Sequence, residues 1–171
     1  MDDRLRDVYS YELFDTTPEK HLDEITELAS IICDTPISLI TILDDERQWF
    51  KSNIGLSVNQ TKVEDSFCQH PLHRPNEVLV VDDALKDDRF VSNRLVTGEP
   101  NIRCYAGAPL ITKNRNVLGT LCVIDRKPRA FSRDQERALQ LLAKKAMDRI
   151  ETQRIFNKLN TSIELNAERL T

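Results

Sequence analysis

Arg103 and Tyr105 are the residues of this chain best suited to hold a small molecule. They open the run Arg103-Cys104-Tyr105-Ala106-Gly107-Ala108-Pro109-Leu110, where strand alternation puts both on one face, opposite Cys104 and Ala106. Arg103 offers a planar fork for a carboxylate or phosphate, and Tyr105 adds an aromatic wall and one hydroxyl. The competing expectation is structural: Arg103 pairs with Asp83 or Asp87 and locks the preceding segment in place. A second cluster is Ser66-Phe67-Cys68-Gln69-His70. An imidazolium beside Cys68 would lower its pKa and make the thiolate a nucleophile. On a helix, however, positions i and i+2 point about 200° apart. The plainer reading makes Cys68 a buried packing residue and His70 a capping or core hydrogen-bonding one.

The other candidates divide the same way. Phe67 and Phe90 read as core residues first and ligand stackers second, and Asn93 as a cap or turn residue. Thr120 shares a strand face with Cys122, which is most simply core. Phe67, Cys68, His70, Asp83, Phe90, Asn93, Arg103, Tyr105 and Thr120 form the candidate ligand pocket. Trp49 faces either solvent at an interface or the pocket, and His73, between Pro71 and Pro75, reads as a surface-loop residue. The acidic runs Asp44-Asp45-Glu46, Asp82-Asp83 and Asp87-Asp88 are solvated turns, because consecutive residues rarely converge on one ion. No metal is expected.

These residues need a scaffold. Residues 2–14 carry Leu5, Val8 and Leu13 at loosely helical spacing. A second helix starts with Thr17 as cap and Pro18 at its first position, carries the stripe Leu22, Ile25, Leu28, Ala29 and Ile32, and stops near Asp34 before Pro36. Ile37 to Leu43 is a continuous β-branched run and reads as a buried strand, with Arg47 to Ile54 returning beside it. The middle, residues 55–102, is irregular, with a short helix over 64–70, a strand over 78–81 and a turn at Gly98 to Asn101. Arg103 to Asp125 forms a hairpin apolar on both faces, turning at Lys113 to Asn116. A last helix begins at Ser132 in a capping box with Gln135 and meets no glycine or proline before the final residue. Leu139, Leu142, Ala146, Phe156, Ile163, Ala167 and Leu170 follow three- and four-residue steps, with Arg149, Gln153 and Asn160 interrupting the seam. The plain reading is a helix packed on its own domain up to about Ile150, and the favoured one a two-stranded coiled coil that holds a homodimer.

Composition excludes several classes. The 171 residues suit one domain with a helical extension. A net charge of -4, with scattered Lys and Arg, gives no reason to expect nucleic-acid binding. No segment approaches the roughly 20 apolar residues that span a bilayer, and the polar start is no signal peptide, so a cytoplasmic location is expected. Cys33, Cys68, Cys104 and Cys122 are too dispersed for a zinc pair and read as free buried thiols.

The blocks SFCQH (66–70), RCYAGAPL (103–110) and LGTLCVID (118–125), supported by DDERQWFK (44–51) and DDRFVSN (87–93), make the chain resemble a GAF domain, the small-molecule-sensing fold of bacterial signalling proteins and cyclic-nucleotide phosphodiesterases. The resemblance covers residues 18–150, leaving 1–17 as an N-terminal helical segment and 151–171 as a dimerisation and signalling helix. It implies an α+β fold: a central antiparallel sheet of five or six strands, helices on both faces and a long C-terminal helix. It also implies a pocket between sheet and middle segment. Bilin-binding relatives have a cysteine followed directly by histidine, whereas Gln69 intervenes here, which argues against a covalent chromophore; haem and the cyclic-nucleotide signature are likewise not expected.

Relatives of this branch precede histidine kinase, diguanylate cyclase or phosphodiesterase output domains. The resulting expectation is a non-catalytic sensor of a small anionic or polar ligand, in a two-component or similar signalling protein. The alternatives are a ligand-free dimerisation or protein-interaction module and, least favoured, a thiol-based free methionine sulfoxide reductase.

Overall fold

β1 (Ile37–Leu43) and β6 (Val117–Asp125) are buried at every position, as their unbroken apolar runs predict. They pair at the centre of a six-stranded sheet ordered β3-β2-β1-β6-β5-β4, with every neighbouring pair antiparallel. β2 (Arg47–Ile54) and β3 (Gln60–Lys62) extend one side, and β5 (Cys104–Ile111) and β4 (Leu79–Val81) the other. The computed structural model describes residues 2–74 and 76–171, without the side chains of residues 71–73, so the reading of His73 lies outside the described residues. The class is α+β. β3 has no counterpart among the expected strands, because three residues without a buried one leave no periodic signal.

Two cores sit on the two sheet faces. Ile40, Ile42, Trp49, Ala106, Ala108, Leu110, Leu121 and Val123 meet the helices α1 (Asp3–Ser10), α2 (Lys20–Cys33) and α4 (Arg133–Leu170). Ile37, Leu39, Leu43, Phe50, Tyr105, Cys122 and Ile124 meet the middle segment instead. That segment is a lid of short 3-10 turns over 63–65, 67–73 and 84–86, plus the single-turn α3 (Arg94–Thr97). Trp49 belongs to the helix-side core, tilted against Phe14, so it faces neither solvent nor lid.

Local signals hold where no distant group competes. Ser132 and Gln135 close the capping box of α4 reciprocally. α2 differs. It starts at Lys20, with Glu19 as an N-cap that makes no side-chain bond, and not at Thr17. The reason is Lys51, whose buried ammonium takes the Thr16 hydroxyl at 2.8 Å and the Thr17 carbonyl at 2.6 Å. The stripe of α2 is also rotated from the expected one. Leu22, Thr26, Ala29 and Cys33 point inward, Thr26 bonding Ser52 at 2.7 Å, while Leu28, Ile31 and Ile32 are exposed.

Helix α4 has 38 residues, about 57 Å at 1.5 Å per residue. Leu139, Ala143, Ala146, Met147 and Ile150 are buried against the domain, and every residue after Arg154 is exposed. Leu139 and Ala146, expected in a dimer seam, therefore belong to the chain's own core. The outward large apolar residues are Leu141, Ile155, Phe156, Leu159, Ile163, Leu165 and Leu170. At about 100° per residue most of them fall on one stripe, facing away from the domain.

The acidic turn expected after β1 is only partly solvated. Asp44 is buried and accepts the Glu46 and Arg47 amides and the Tyr9 hydroxyl. Asp7, on α1, plays a similar part for the hairpin of β5 and β6. It accepts from Thr112 at 2.6 Å, Asn116 at 3.0 Å and Asn114 at 3.1 Å. Burial pushes its carboxyl up, but these bonds outweigh burial and hold it below the usual carboxylate value. Asp7→Asn should cost about 1–3 kcal/mol in urea unfolding, since it sets an amide against donors. A lowered carboxyl stabilises above its unfolded value and loses that contribution as pH falls through the folded one. The wild-type advantage over Asp7→Asn should therefore shrink on acidification below the usual carboxylate range; a constant difference from neutral to acid pH would count against this role.

Candidate functional site

Tyr105 lies across Gly107, where an added Cβ would sit 2.2 Å from the tyrosine oxygen. Glycine at that position is what lets the ring run along β5 and reach the neighbouring strand. The hydroxyl ends 3.1 Å from Cys68 Sγ, and Thr120 Oγ1 donates to the same sulfur at 2.9 Å. Thr41 closes the group from β1, its oxygen 3.1 Å from Thr120 Oγ1. Cys122, two positions along β6, is fully buried in the same lid-side core. Phe67 stacks on Phe90 with centroids 4.0 Å apart and tilts against Tyr105 at 5.2 Å, while His70 meets the Phe90 ring edge-on at 4.8 Å. Phe67, Cys68, His70, Phe90, Tyr105 and Thr120 thus come together, and their own side chains fill the space between them.

Arg103, Asp83 and Asn93 serve the lid. Arg103 Nη1 donates to the carbonyls of Val96 at 2.9 Å and Ile102 at 3.0 Å. The ion pair weighed for it is absent, because Asp83 caps the turn at Leu85 and Asp87 pairs with Arg89 at 2.7 Å. Arg103 still ties down the middle segment, through main-chain carbonyls. Asn93 caps α3 at Leu95 and donates to the Asp65 carbonyl, joining two lid turns.

An open cleft of about 360 Å³ lies beside this cluster on the same sheet face. Leu39, Phe50 and Ile124 form its floor, Leu95 to Ile102 one wall, and the loop from Gly55 to Val58 the other. Gly55 has φ +89° and lies so close to the Pro36 carbonyl that a side chain would strike it, which fixes where this loop leaves the sheet. None of the residues expected in the pocket lines the cleft. Gln48 connects the two regions. It lines the cleft, donates to Thr61 at 2.9 Å and accepts from Ser66 at 2.7 Å; Ser66 in turn accepts the Cys68 amide at 2.9 Å. Gln48 is a polar residue beside Phe50 on the lid face of a buried strand, a sequence signal that could have marked it.

No group of side chains suited to a metal ion occurs among the described residues. For Cys68, burial raises the thiol pKa, but donation from Cys122, Thr120, Tyr105 and Thr41 outweighs burial and brings it down to about 6. Burial, and then the charge on Cys68, push Tyr105 and Cys122 up. Cys33 and Cys104, buried without side-chain donors, rise to about 11. Ultraviolet titration of the folded protein should therefore lose one thiolate band as pH falls through about 6. Cys68→Ala should remove that step and Cys33→Ala preserve it. A protein with no thiolate below the ordinary cysteine value of about 8.5 would show that burial wins.

A family model for the GAF domain matches residues 17–150. A cyclic di-GMP phosphodiesterase of Pseudomonas aeruginosa is 44% identical over 149 residues, which are 86% of this chain and 25% of that protein. The chain thus spans about a quarter of that relative's length. Among solved structures, the GAF domain of an Acinetobacter phosphoenolpyruvate-protein phosphotransferase superposes with a TM-score of 0.65 at 23% identity, covering 88% of this chain and 92% of its own. A free methionine-R-sulfoxide reductase from Neisseria meningitidis, in complex with its substrate, gives 0.60 at 16% identity, covering 89% of each chain. Likeness at those identities shows the fold alone. The doubly covered antiparallel sheet, the lid over one face and the family match over most of the sequence agree: this chain belongs to the GAF domain family.

Proposed function

We propose that this chain is a non-catalytic sensory module that reads a small molecule in the cleft beside β2 and passes its state along α4 to an output domain. The observation carrying this reading is α4 itself. Its first half is part of the domain core and its second half leaves the domain as one unbroken helix. A rigid helix rooted in a core transmits a shift of that core to whatever follows it. The 44% identity to a cyclic di-GMP phosphodiesterase favours cyclic dinucleotide turnover as the controlled activity.

At the exit point, Glu19 lies between Lys51 at 3.5 Å and Arg149 of α4 at 3.6 Å, while Tyr11 bonds Glu151 and underlies Arg154. These contacts join the sheet and the N-terminal segment to the helix at its last buried turn. Ligand acts by favouring one arrangement of lid and sheet over another, and only its differential affinity for the two can move α4.

The exposed stripe on α4, together with Leu28, Ile31 and Ile32 of α2, supports a homodimer formed by these helices. A second reading, a ligand-free dimerisation module, is favoured by the filled aromatic cluster around Phe67 and Tyr105. Thiol reductase activity is disfavoured by the sealed position of Cys68.

Analytical ultracentrifugation should give a dimer. Phe156→Glu combined with Ile163→Glu should weaken association by at least about a hundredfold, some 2.8 kcal/mol, without changing the domain's thermal melt. A wild-type monomer at tens of micromolar would sink the dimer. For the sensory reading, the chain placed ahead of a cyclic di-GMP phosphodiesterase domain should alter its turnover when Ile102→Trp fills the cleft. Unchanged turnover in that variant would favour the ligand-free reading.

A further inference from the structure

We propose that the cleft takes a free α-amino acid with an apolar side chain, bound as its zwitterion; this rests on the sensory reading above and names the ligand class for the same site. Three features carry it. The floor is hydrocarbon, supplied by Leu39, Phe50 and Ile124, and Ile102 faces it from the lid side. Gln48, the buried polar side chain in the lining, is bonded to Thr61 and Ser66. The body of a ligand therefore meets apolar surface, and polar groups placed there would lose their water without replacement.

The rim is different. Arg126 and Glu99 both line the cleft and form no ion pair with each other or with any other described residue. Arg126 uses Nε to donate to the Pro100 carbonyl at 3.0 Å, which holds it next to the chain position of Glu99. Its terminal amino groups have no described acceptor, and the Glu99 carboxylate has no described donor. An exposed cation and an exposed anion that line the same apolar-floored cleft can answer the carboxylate and the ammonium of one amino acid, with its hydrocarbon side chain below. A phosphate ester fits worse, since Glu99 repels it beside a single guanidinium. A simple carboxylate would leave Glu99 unanswered.

Size agrees. The cleft's 360 Å³ leaves room for an amino acid the size of leucine or phenylalanine. Because the floor belongs to the sheet and Glu99 to the lid, such a ligand would bridge the two, which is the contact a sensor needs.

The test is isothermal titration calorimetry on the whole chain with L-phenylalanine, L-leucine, hydrocinnamate and phenethylamine. At least one of the two amino acids should bind, and each phenylalanine analogue lacking one charge should bind at least about tenfold more weakly than phenylalanine. Arg126→Gln should weaken phenylalanine and hydrocinnamate, whereas Glu99→Gln should weaken phenylalanine and leave hydrocinnamate unchanged. Ile102→Trp should abolish binding of all of them, with far-ultraviolet circular dichroism matching the wild type to show that the domain is still folded. Hydrocinnamate binding as tightly as phenylalanine overturns the proposal, as does silence from both amino acids. In the latter case the grafted phosphodiesterase separates the failures. If Ile102→Trp still alters turnover, the sensory cleft stands and only the ligand class falls; if it does not, both fall.

Discussion

Everything in this fold depends on the central strands β1 and β6 being buried on both faces. A sheet with two apolar faces must have two covers, and the chain supplies unlike ones. On one side, α1, α2 and α4 pack as regular helices whose main-chain groups are satisfied internally. On the other, short turns form a lid, and short turns leave donors and acceptors that must find partners elsewhere. The asymmetry separates a rigid face that can transmit from a looser face that can respond.

Under the lid, partners are supplied by side chains. Gln48, Ser66, Cys68, Thr120 and Thr41 form one connected chain of hydrogen bonds running from the cleft into the sheet. Among buried side chains, each link costs most when broken, so the chain acts as a unit. Arg103 and Asn93 complete the fastening by taking carbonyls that the single-turn α3 and its neighbours cannot satisfy. The residues that look most reactive in isolation, a cysteine and an arginine, are held in this network, and the open cleft lies next to it.

How much of this was legible depends on distance. The strands other than β3, the capping box at Ser132 and Gln135, the hairpin turn and the stop of α2 near Asp34 rest on neighbouring residues, and local rules sufficed. The start of α2 was not legible, because Lys51, far along the chain, takes the groups that Thr16 and Thr17 would have offered. Nor was its inward face, since Thr26 turns toward Ser52 on β2. Phe67, Cys68, Phe90 and Tyr105 were recognisable as a group, but whether they enclose a space or fill it depends on ring positions that spacing does not encode.

The amino-acid sequence by itself determined the doubly buried central strands and the long helix, because periodicity and capping act over a few residues. Only the tertiary structure decided that Arg103 holds carbonyls and not a carboxylate, that Tyr105 crosses Gly107 to reach Cys68, and that the open space lies beside Gln48 and Phe50. Those outcomes depend on segments some 40 residues apart meeting at the sheet, the loop after β2 and the turn after α3. Their meeting is set by packing against a shared core, which no local pattern contains.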